Sequence, residues 1–287
     1  MTSIGDNAFH GCSALRSIII PDSVTSIGSF AFQGCNELTS VILPAGLEHI
    51  ESYAFAGCQS LTSIKFPDSV TVIGRNAFGG CGSLTSINIP ETVTYIDYHA
   101  FDGCGNLKSV YIPADVETIK DYAFQDCFEL EKFEVARENP SFVSVDGVLF
   151  SKDPLVLVQY PLGVENESYV VPDGTVSISG YAFSGNTSLK SVILPDGISC
   201  IGEYAFMDCG NLELINLPEG LRVIDQYAFQ NCRSLSSLAV PDSVYFINWG
   251  AFFGGPGMDN ITLPECMISD GNGAYHCPGP EYDRIYN

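Results

Sequence analysis

The chain has 287 residues, of which 46% are hydrophobic and 16% are charged, so it can build a substantial core and is not expected to be disordered. Its 12 lysines and arginines stand against 34 aspartates and glutamates, and the formal net charge of −22 argues against nucleic acids and anionic lipid surfaces as partners. No apolar run reaches the ~18 residues of a membrane-spanning helix, so membrane insertion is not predicted.

A repeat of 23 residues organises the chain from its first residues. The dipeptide Ala-Phe recurs ten times in two blocks, with one irregular step of 59 residues between Ala123 and Ala182. An isoleucine stands four residues before each of these alanines, from Ile4 to Ile247. This periodicity predicts a repeat architecture in place of a globular α/β domain.

The predicted elements of one repeat follow a constant order. The alternation in residues 16–20 predicts a strand, and Pro21 ends it because proline has no N–H for strand pairing. Val24 and Ile27 then turn inward again, and Ala31-Phe32 closes the coil. One coil cannot cover its own apolar side, so successive coils are expected to stack with parallel strands ~4.8 Å apart.

The pattern Leu-x-x-Ile-x-Ile-Pro-x-x-Val-x-x-Ile-x-x-x-Ala-Phe-x-x-Cys resembles the BspA-like (Treponema pallidum-type) class of leucine-rich repeat over residues 4–264. The fold class expected is a repeat solenoid, a leucine-rich-repeat-like right-handed coil with a parallel concave β-sheet and 23-residue repeats. The irregular step also resembles a longer repeat of that class. On its own, Asp146-Gly147 predicts a tight hairpin turn.

Two regions are predicted along the chain. Residues 1–265 form a solenoid of ten repeats, with the longer irregular repeat and its hairpin at about 136–172. Residues 266–287 are rich in glycine and proline and form a C-terminal cap or a linker tail. Because the chain opens within a repeat at Met1, we expect a fragment of a longer protein whose signal peptide has been trimmed.

Eleven cysteines raise the question of disulfides. Eight of them share one repeat position, the cysteine column, in which Asn186 substitutes once: Cys12, Cys35, Cys58, Cys81, Cys104, Cys127, Cys209 and Cys232. Side chains in one column lie ~4.8 Å apart, more than the ~3.8 Å between the Cβ atoms of a disulfide. We therefore expect buried free thiols that contribute to hydrogen bonding within the coils. Whether Cys266 and Cys277, outside the column, form a disulfide stays open.

No catalytic motif emerges from the sequence. The four histidines occupy different repeat positions, and the cysteines have no Cys-x-x-Cys spacing of a zinc site. A Gly-x-Ser-x-Gly elbow and a phosphate-binding glycine loop are also missing. We therefore predict a protein that is not an enzyme and needs no cofactor.

An acidic residue follows the strand-ending proline in most repeats, and only Ala45 and Ala114 break the pattern. Five such carboxylates follow one another in the second block: Asp173, Asp196, Glu219, Asp242 and Glu265. The favoured interpretation is a turn in which the carboxylate accepts hydrogen bonds from local N–H groups. The alternative is a calcium-binding edge, because Ca²⁺ binds clustered oxygen ligands.

An aromatic column occupies the position just before alanine, and its members are Phe30, Tyr53, His99, Tyr122, Tyr181, Tyr204 and Tyr227. The favoured interpretation is that these rings cover the outer flank of the coils. The alternative is that an exposed row of tyrosines stacks on sugars.

The candidate binding surface is the concave sheet, where outward strand residues are free to vary. The predicted contact patch comprises Lys65, Asn88, Lys108, Tyr111, Lys132 and Glu134. Tyrosine beside charged residues is typical of binding hot spots. Lysines on so acidic a chain also offer local attraction for anionic groups.

The function predicted is a protein-binding scaffold. The family resemblance implies a cell-surface or secreted protein in adhesion or host interaction, with a host extracellular-matrix protein as partner. One alternative is a carbohydrate-binding accessory module of a larger secreted protein. The other is an intracellular interaction scaffold in the cytoplasm, which a column of reduced thiols favours over an oxidising secretory route.

Overall fold

The computed structural model describes residues 1–255 and 260–278. The Cα positions divide the chain into two compact units. The first comprises Met1–Lys152 and Pro161–Val164, and the second comprises Asp153–Tyr160 and Glu165–Asn287. The predicted division into residues 1–265 and 266–287 stays a prediction.

Short strands alternate along the first unit. In chain order they are β1 (Ser3–Ile4), β2 (Ser17–Ile19), β3 (Ser26–Ile27), β4 (Ser40–Ile42), β5 (His49–Ile50), β6 (Ser63–Lys65), β7 (Val72–Ile73), β8 (Ser86–Asn88), β9 (Tyr95–Ile96), β10 (Ser109–Ile112), β11 (Thr118–Ile119), β12 (Lys132–Val135), β13 (Phe142–Val145) and β14 (Val148–Ser151). The even-numbered strands pair in parallel as β2-β4-β6-β8 and β10-β12, and the odd-numbered ones as β1-β3 and β5-β7-β9-β11.

Residues 23 apart are register partners in these sheets, as Ser17 is with Ser40 and Ile50 with Ile73. The predicted fold class, a repeat solenoid with parallel strands and 23-residue repeats, is therefore confirmed. The hairpin at Asp146-Gly147 is confirmed too, because β13 and β14 pair antiparallel with Val145 opposite Val148. Both turn residues have positive φ, 50° and 85°, as a two-residue turn of this type requires.

The second unit repeats the arrangement. Its strands are β15 (Val156–Gln159), β16 (Ser168–Val170), β17 (Ser177–Ile178), β18 (Ser191–Ile193), β19 (Cys200–Ile201), β20 (Leu214–Ile215), β21 (Val223–Ile224), β22 (Leu238–Ala239), β23 (Phe246–Ile247), β24 (Ile261–Thr262), β25 (Ile268–Ser269) and β26 (Tyr275–His276). Parallel pairing runs β15-β17-β19-β21-β23 on one side, and β16-β18-β20 and β22-β24 on the other.

An antiparallel hairpin covers the end of the second unit. Strand β26 pairs with both β23 and β25, and Ile247 lies opposite Tyr275. Cys266 and Cys277 form a disulfide with Cα atoms 5.0 Å apart, which resolves the alternative left open by the sequence. The free edge of β23 is thereby paired, so it no longer presents unpaired N–H and C=O groups.

Stacked phenylalanines form the core. In the first unit the rings of Phe32, Phe55 and Phe78 follow one another with centroids 5.3 and 5.5 Å apart and planes 3° from parallel. The second unit has the same arrangement at Phe183, Phe206 and Phe229, with centroids 4.8 and 5.3 Å apart. Every one of these rings is fully buried.

The cysteine column lies beside this core. Each buried thiol donates a hydrogen bond of 3.1–3.4 Å to the carbonyl oxygen of the phenylalanine 26 residues earlier; the donors are Cys35, Cys58, Cys81, Cys104, Cys127, Cys209 and Cys232. The prediction of buried free thiols is thus confirmed for these seven. It is wrong for Cys12, which is exposed, because a column thiol is covered by the coil before it and Cys12 lies in the first coil.

The aromatic column occupies a strained backbone position. Tyr53, Tyr204 and Tyr227 have φ between 54° and 60°, the left-handed region that side chains other than glycine seldom adopt. This conformation aims the N–H at the next coil, as when Tyr204 N donates to the carbonyl of Gln226 at 2.9 Å. The strain is therefore balanced by a hydrogen bond between coils and by stacking of the rings.

Candidate protein-binding surface

The face of β6, β8, β10 and β12 carries the predicted contact patch, with Lys108 directly before β10. Strand alternation sends Ile64, Ile87 and Val110 into the core, where they are buried, and sends the residues on either side of them outward. Each strand therefore presents two exposed positions. Lys65, Asn88, Tyr111 and Glu134 all occupy the second of these positions.

Pairing places the predicted residues next to one another. Lys65 is the register partner of Asn88, and Tyr111 is the register partner of Glu134. Strands β8 and β10 also contact each other. Neighbouring positions in such a sheet are ~4.8 Å apart, so these four side chains form one continuous surface.

Two of the three predicted lysines are engaged in ion pairs. Lys108 Nζ lies 2.6 Å from Glu129 Oε2, and Lys132 Nζ pairs with Glu134 Oε1. The hydrogen bond to the glutamate is the main cause that raises the pKa of each lysine. No ion pair within residues 1–255 and 260–278 involves Lys65. The attraction for anionic groups expected from sequence is therefore largely cancelled at Lys108 and Lys132.

Tyr111 is the aromatic member of this surface and is 39% exposed. Desolvation, and then the carboxylates of Glu91 and Glu138, raise the pKa of its phenol. The hydroxyl thus stays protonated at neutral pH and can donate a hydrogen bond, in surroundings that are acidic overall.

Exposed aliphatic side chains continue the surface, and the predicted patch omitted them. Ile19 and Ile42 are 73% and 58% exposed, and they are register partners of one another. Ile42 in turn pairs with Lys65. The signal was present in the sequence, because these isoleucines occupy the same variable strand position as Lys65. Neighbouring exposed isoleucines form an apolar patch, which is informative about binding in a way that a single exposed apolar residue is not.

A shallow pocket of about 540 Å³ adjoins these residues, and Ile42, Lys65, Phe66 and the carboxylates of Asp22 and Asp68 line it. The second unit has a comparable strip, in which Val170 and Ile193 are exposed register partners. Each unit thus presents aliphatic side chains on its own row of parallel strands.

The family model of the BspA type leucine-rich repeat region matches residues 2–133 and 163–277, in six copies. The chain belongs to the BspA-type leucine-rich repeat family. The leucine, isoleucine and phenylalanine of the 23-residue pattern are buried within these matched residues, as at Leu84, Ile73 and Phe78.

Two solved structures illustrate the likeness. A leucine-rich cell surface protein of Faecalibacterium prausnitzii is 30% identical with a TM-score of 0.75, over 88% of this chain and 74% of that one. The pneumococcal vaccine antigen PcpA is 33% identical with a TM-score of 0.79, over 86% of this chain. The chain spans 64% of the length of PcpA. The comparison with curated proteins found no match.

The acidic position of the BspA-type repeat accepts hydrogen bonds from the next coil, and not from its own turn, at two places in the first unit. Asp22 Oδ1 accepts from Ala45 N, and Glu91 Oε2 accepts from Ala114 N, each at 3.3 Å. Both carboxylates accept from the two repeats in which alanine replaces the acidic residue.

In the part of the chain that is described, no group of three or more His, Cys, Asp or Glu is placed to hold a metal ion. The calcium edge at Asp173, Asp196, Glu219, Asp242 and Glu265 stays a prediction.

In the aromatic column of the BspA-type repeats, the ring faces contact the rings of neighbouring repeats. Phe30 stacks on Tyr53 with centroids 4.7 Å apart, and Tyr204 lies 4.7 Å from Tyr181 and 4.9 Å from Tyr227. Tyr204 thus has a tilted ring, at 33°, on one side and a stacked ring on the other, which leaves it no free face for a sugar.

Among the described residues, no helix has the length and hydropathy needed to cross a bilayer.

Proposed function

We propose that this chain is a non-enzymatic protein-binding scaffold that binds its partner through the strand face of the first unit. The contact surface comprises the predicted residues Lys65, Asn88, Lys108, Tyr111, Lys132 and Glu134, extended by Ile19 and Ile42. The observation that carries the proposal is a row of exposed side chains at one strand position, with Ile19 and Ile42 at one end, Tyr111 towards the other and polar residues between them. The ion pairs of Lys108 and Lys132 lie beside it. Apolar centres with polar rims are typical of protein interfaces.

The chemistry of this surface favours a protein partner. Since Lys108 and Lys132 are paired with carboxylates, the surface offers mixed polar groups around apolar side chains and little net positive charge. Such a surface suits a folded protein with its own apolar patch better than a polyanion. A host extracellular-matrix protein is the partner class we propose.

We further propose a cell-surface or secreted location, with a role in adhesion or host interaction. The related Faecalibacterium prausnitzii protein is a cell surface protein, which supports this. The Cys266–Cys277 disulfide is also typical of an oxidising compartment. The reduced thiols do not oppose it, because burial raises the pKa of the Cys81 and Cys232 thiols to about 12 and so keeps them from forming reactive thiolate.

Surface plasmon resonance against immobilised extracellular-matrix proteins, alongside a glycan array, tests the proposal. The informative variant combines Ile42→Ala, Tyr111→Ala and Lys108→Glu. All three side chains are exposed, so folding should survive, and affinity for a matrix protein should fall about tenfold or more. The matched control is His49→Ala, an exposed residue of β5 on the other row of strands. Unchanged binding by the triple variant, or binding to glycans alone, overturns the proposal.

A further inference from the structure

The aromatic column of the second unit ends at Gly250. The rings of Tyr181, Tyr204 and Tyr227 contact one another in successive repeats, with centroids 4.7 and 4.9 Å apart, and the next repeat has glycine in their position. Gly250 has φ 68°, and a Cβ there would lie 2.5 Å from Cε1 of Tyr227. A side chain therefore cannot occupy this position beside the Tyr227 ring, and the column stops one ring short.

A pocket of about 520 Å³ opens at this place. Its walls include five aromatic rings and one amide, which belong to Tyr227, Trp249, Phe252, Phe253, Tyr275 and Gln230. The volume lies within the range of small-molecule sites. Trp249 and Phe253 are 47% and 65% exposed, so solvent and ligand reach two of the rings directly.

The rings are held in place before any ligand binds. Trp249 meets Tyr227 edge to face, with centroids 4.8 Å apart and planes at 72°, so the two rings form a corner. Tyr275 is fixed by the pairing of β26 with β23 and by the Cys266–Cys277 disulfide of its hairpin. Gly273 passes so close to Trp249 that a Cβ would lie 3.1 Å from Cδ1. Such preorganisation reduces the entropy lost on binding.

The residue types that line the pocket and the net charge of the chain together indicate which class of ligand the pocket fits. No lysine, arginine, aspartate or glutamate lines this pocket in the part of the chain that the structure describes, and Gln230 is its only polar side chain apart from the aromatic residues. Sugar recognition requires several polar groups aimed at hydroxyls, which this lining lacks. Aromatic faces attract cations, and a net charge of −22 concentrates cations near the surface.

We infer that the pocket formed by Tyr227, Trp249, Phe253 and Tyr275 binds a small organic cation of the methylated ammonium class through cation–π contacts. The rings replace the weak hydration of such a cation, and no hydrogen-bond donor is needed on the ligand. This site lies in the second unit, and it is independent of the protein-binding surface proposed for the first.

The chain supplies its own reporter, because Trp249 is its only tryptophan. Titration of the full chain with choline should change the tryptophan fluorescence saturably. The uncharged isostere 3,3-dimethylbutanol should bind at least threefold more weakly, since it has the same shape without the charge. Phe253→Ala should weaken choline binding about threefold or more, and Tyr275→Ala should do the same.

The matched control is Phe128→Ala, an exposed phenylalanine of the first unit that should leave choline binding unchanged. Isothermal calorimetry on Phe253→Ala gives a second readout that does not depend on the fluorescence of Trp249. The inference is overturned by a choline titration without saturation, by equal binding of the neutral isostere, or by saturation with methyl glucoside alone. Because the choline and matrix-protein assays use different variants, failure of one leaves the other result intact.

Discussion

The Sγ of Cys58 donates a hydrogen bond to the carbonyl oxygen of Phe32 at 3.3 Å. The two residues are 26 positions apart, one repeat of 23 plus three, so the thiol joins its own coil to the preceding one. A thiol is small enough for this buried position, and it gives the Phe32 carbonyl a second donor beside the backbone N–H of Cys35 at 3.2 Å. The cysteine column is therefore a set of contacts between coils.

The rate at which each cysteine thiol is chemically modified should follow how deeply it is buried. In the folded chain we expect Ellman's reagent to modify Cys12 rapidly, Cys200 slowly, and the seven buried column thiols only as fast as the chain unfolds. In guanidinium chloride all nine free thiols should react. Cys12→Ser serves as the control and should remove the rapid phase. Rapid reaction of several thiols in native buffer would contradict the burial described here.

Stability should fall at alkaline pH because of these thiols. Burial raises the pKa of the Cys81 and Cys232 thiols to about 12, whereas an unfolded cysteine titrates near ~8.5. Above ~8.5 the folded chain therefore holds more protons than the unfolded chain, and its free energy of unfolding decreases as the pH rises towards about 12. Each such thiol contributes a slope of up to ~1.4 kcal/mol per pH unit.

Urea unfolding at pH values from neutral to ten, for the wild type and Cys81→Ala, measures this slope. The variant should be less stable at neutral pH, because the buried thiol and its hydrogen bond to the Phe55 carbonyl are lost, yet its stability should depend less steeply on pH. Identical slopes for the two proteins would show that the Cys81 thiol does not remain protonated in the folded state.

The left-handed backbone of the aromatic column predicts an inverted preference between glycine and alanine. Tyr204 has φ 56°. Both Tyr204→Ala and Tyr204→Gly lose the ring contacts with Tyr181 and Tyr227, but only glycine also relieves the backbone strain. We expect the free energy of unfolding in urea to be about 1 kcal/mol larger for Tyr204→Gly than for Tyr204→Ala. At Tyr95 in β9, where φ is not positive, the alanine variant should be the more stable of the pair. The same order at both sites would argue against strain at Tyr204.

The disulfide should stabilise the terminal hairpin of the second unit. Cys266 and Cys277 are 11 residues apart, and opening a loop of that size costs about 3 kcal/mol by chain entropy. The double variant Cys266→Ser, Cys277→Ser should lose amide protection in β25 and β26 first, as measured by hydrogen exchange. The buried strand β21, inside the same sheet, serves as the internal reference. Unchanged protection in β26 would mean that its pairing with β23 is sufficient without the disulfide.

Much of the fold was predictable because the 23-residue period acts on every coil in the same way. Once coils stack, residues one period apart must become register partners, and Ile50 with Ile73 follows the rule without further information. The buried thiols were predictable for the same reason. Cys12 departed from the prediction because its burial depends on a preceding coil, which the repeat pattern does not supply at the first coil.

The candidate site was predictable in position but only partly in chemistry. The variable strand position identified Lys65, Asn88, Tyr111 and Glu134, and these residues do lie side by side. Whether a lysine is free or paired depends on side-chain reach between coils, as for Lys108 and Glu129, 21 residues apart. The sequence places Ile19 and Ile42 at the same variable strand position, but only their exposure in the structure identifies them as part of a candidate binding surface.

By itself the amino-acid sequence determined the stacking of coils, the phenylalanine core, the cysteine column and the hairpin at Asp146-Gly147, because each depends on local pattern and a fixed period. Tertiary structure alone decided the Cys266–Cys277 pairing, the ion pairs of Lys108 and Lys132, and the aromatic pocket beside Gly250. These features arise where the repeat is interrupted or where side chains from different coils meet. Their geometry is set by packing between coils, which no period in the sequence specifies.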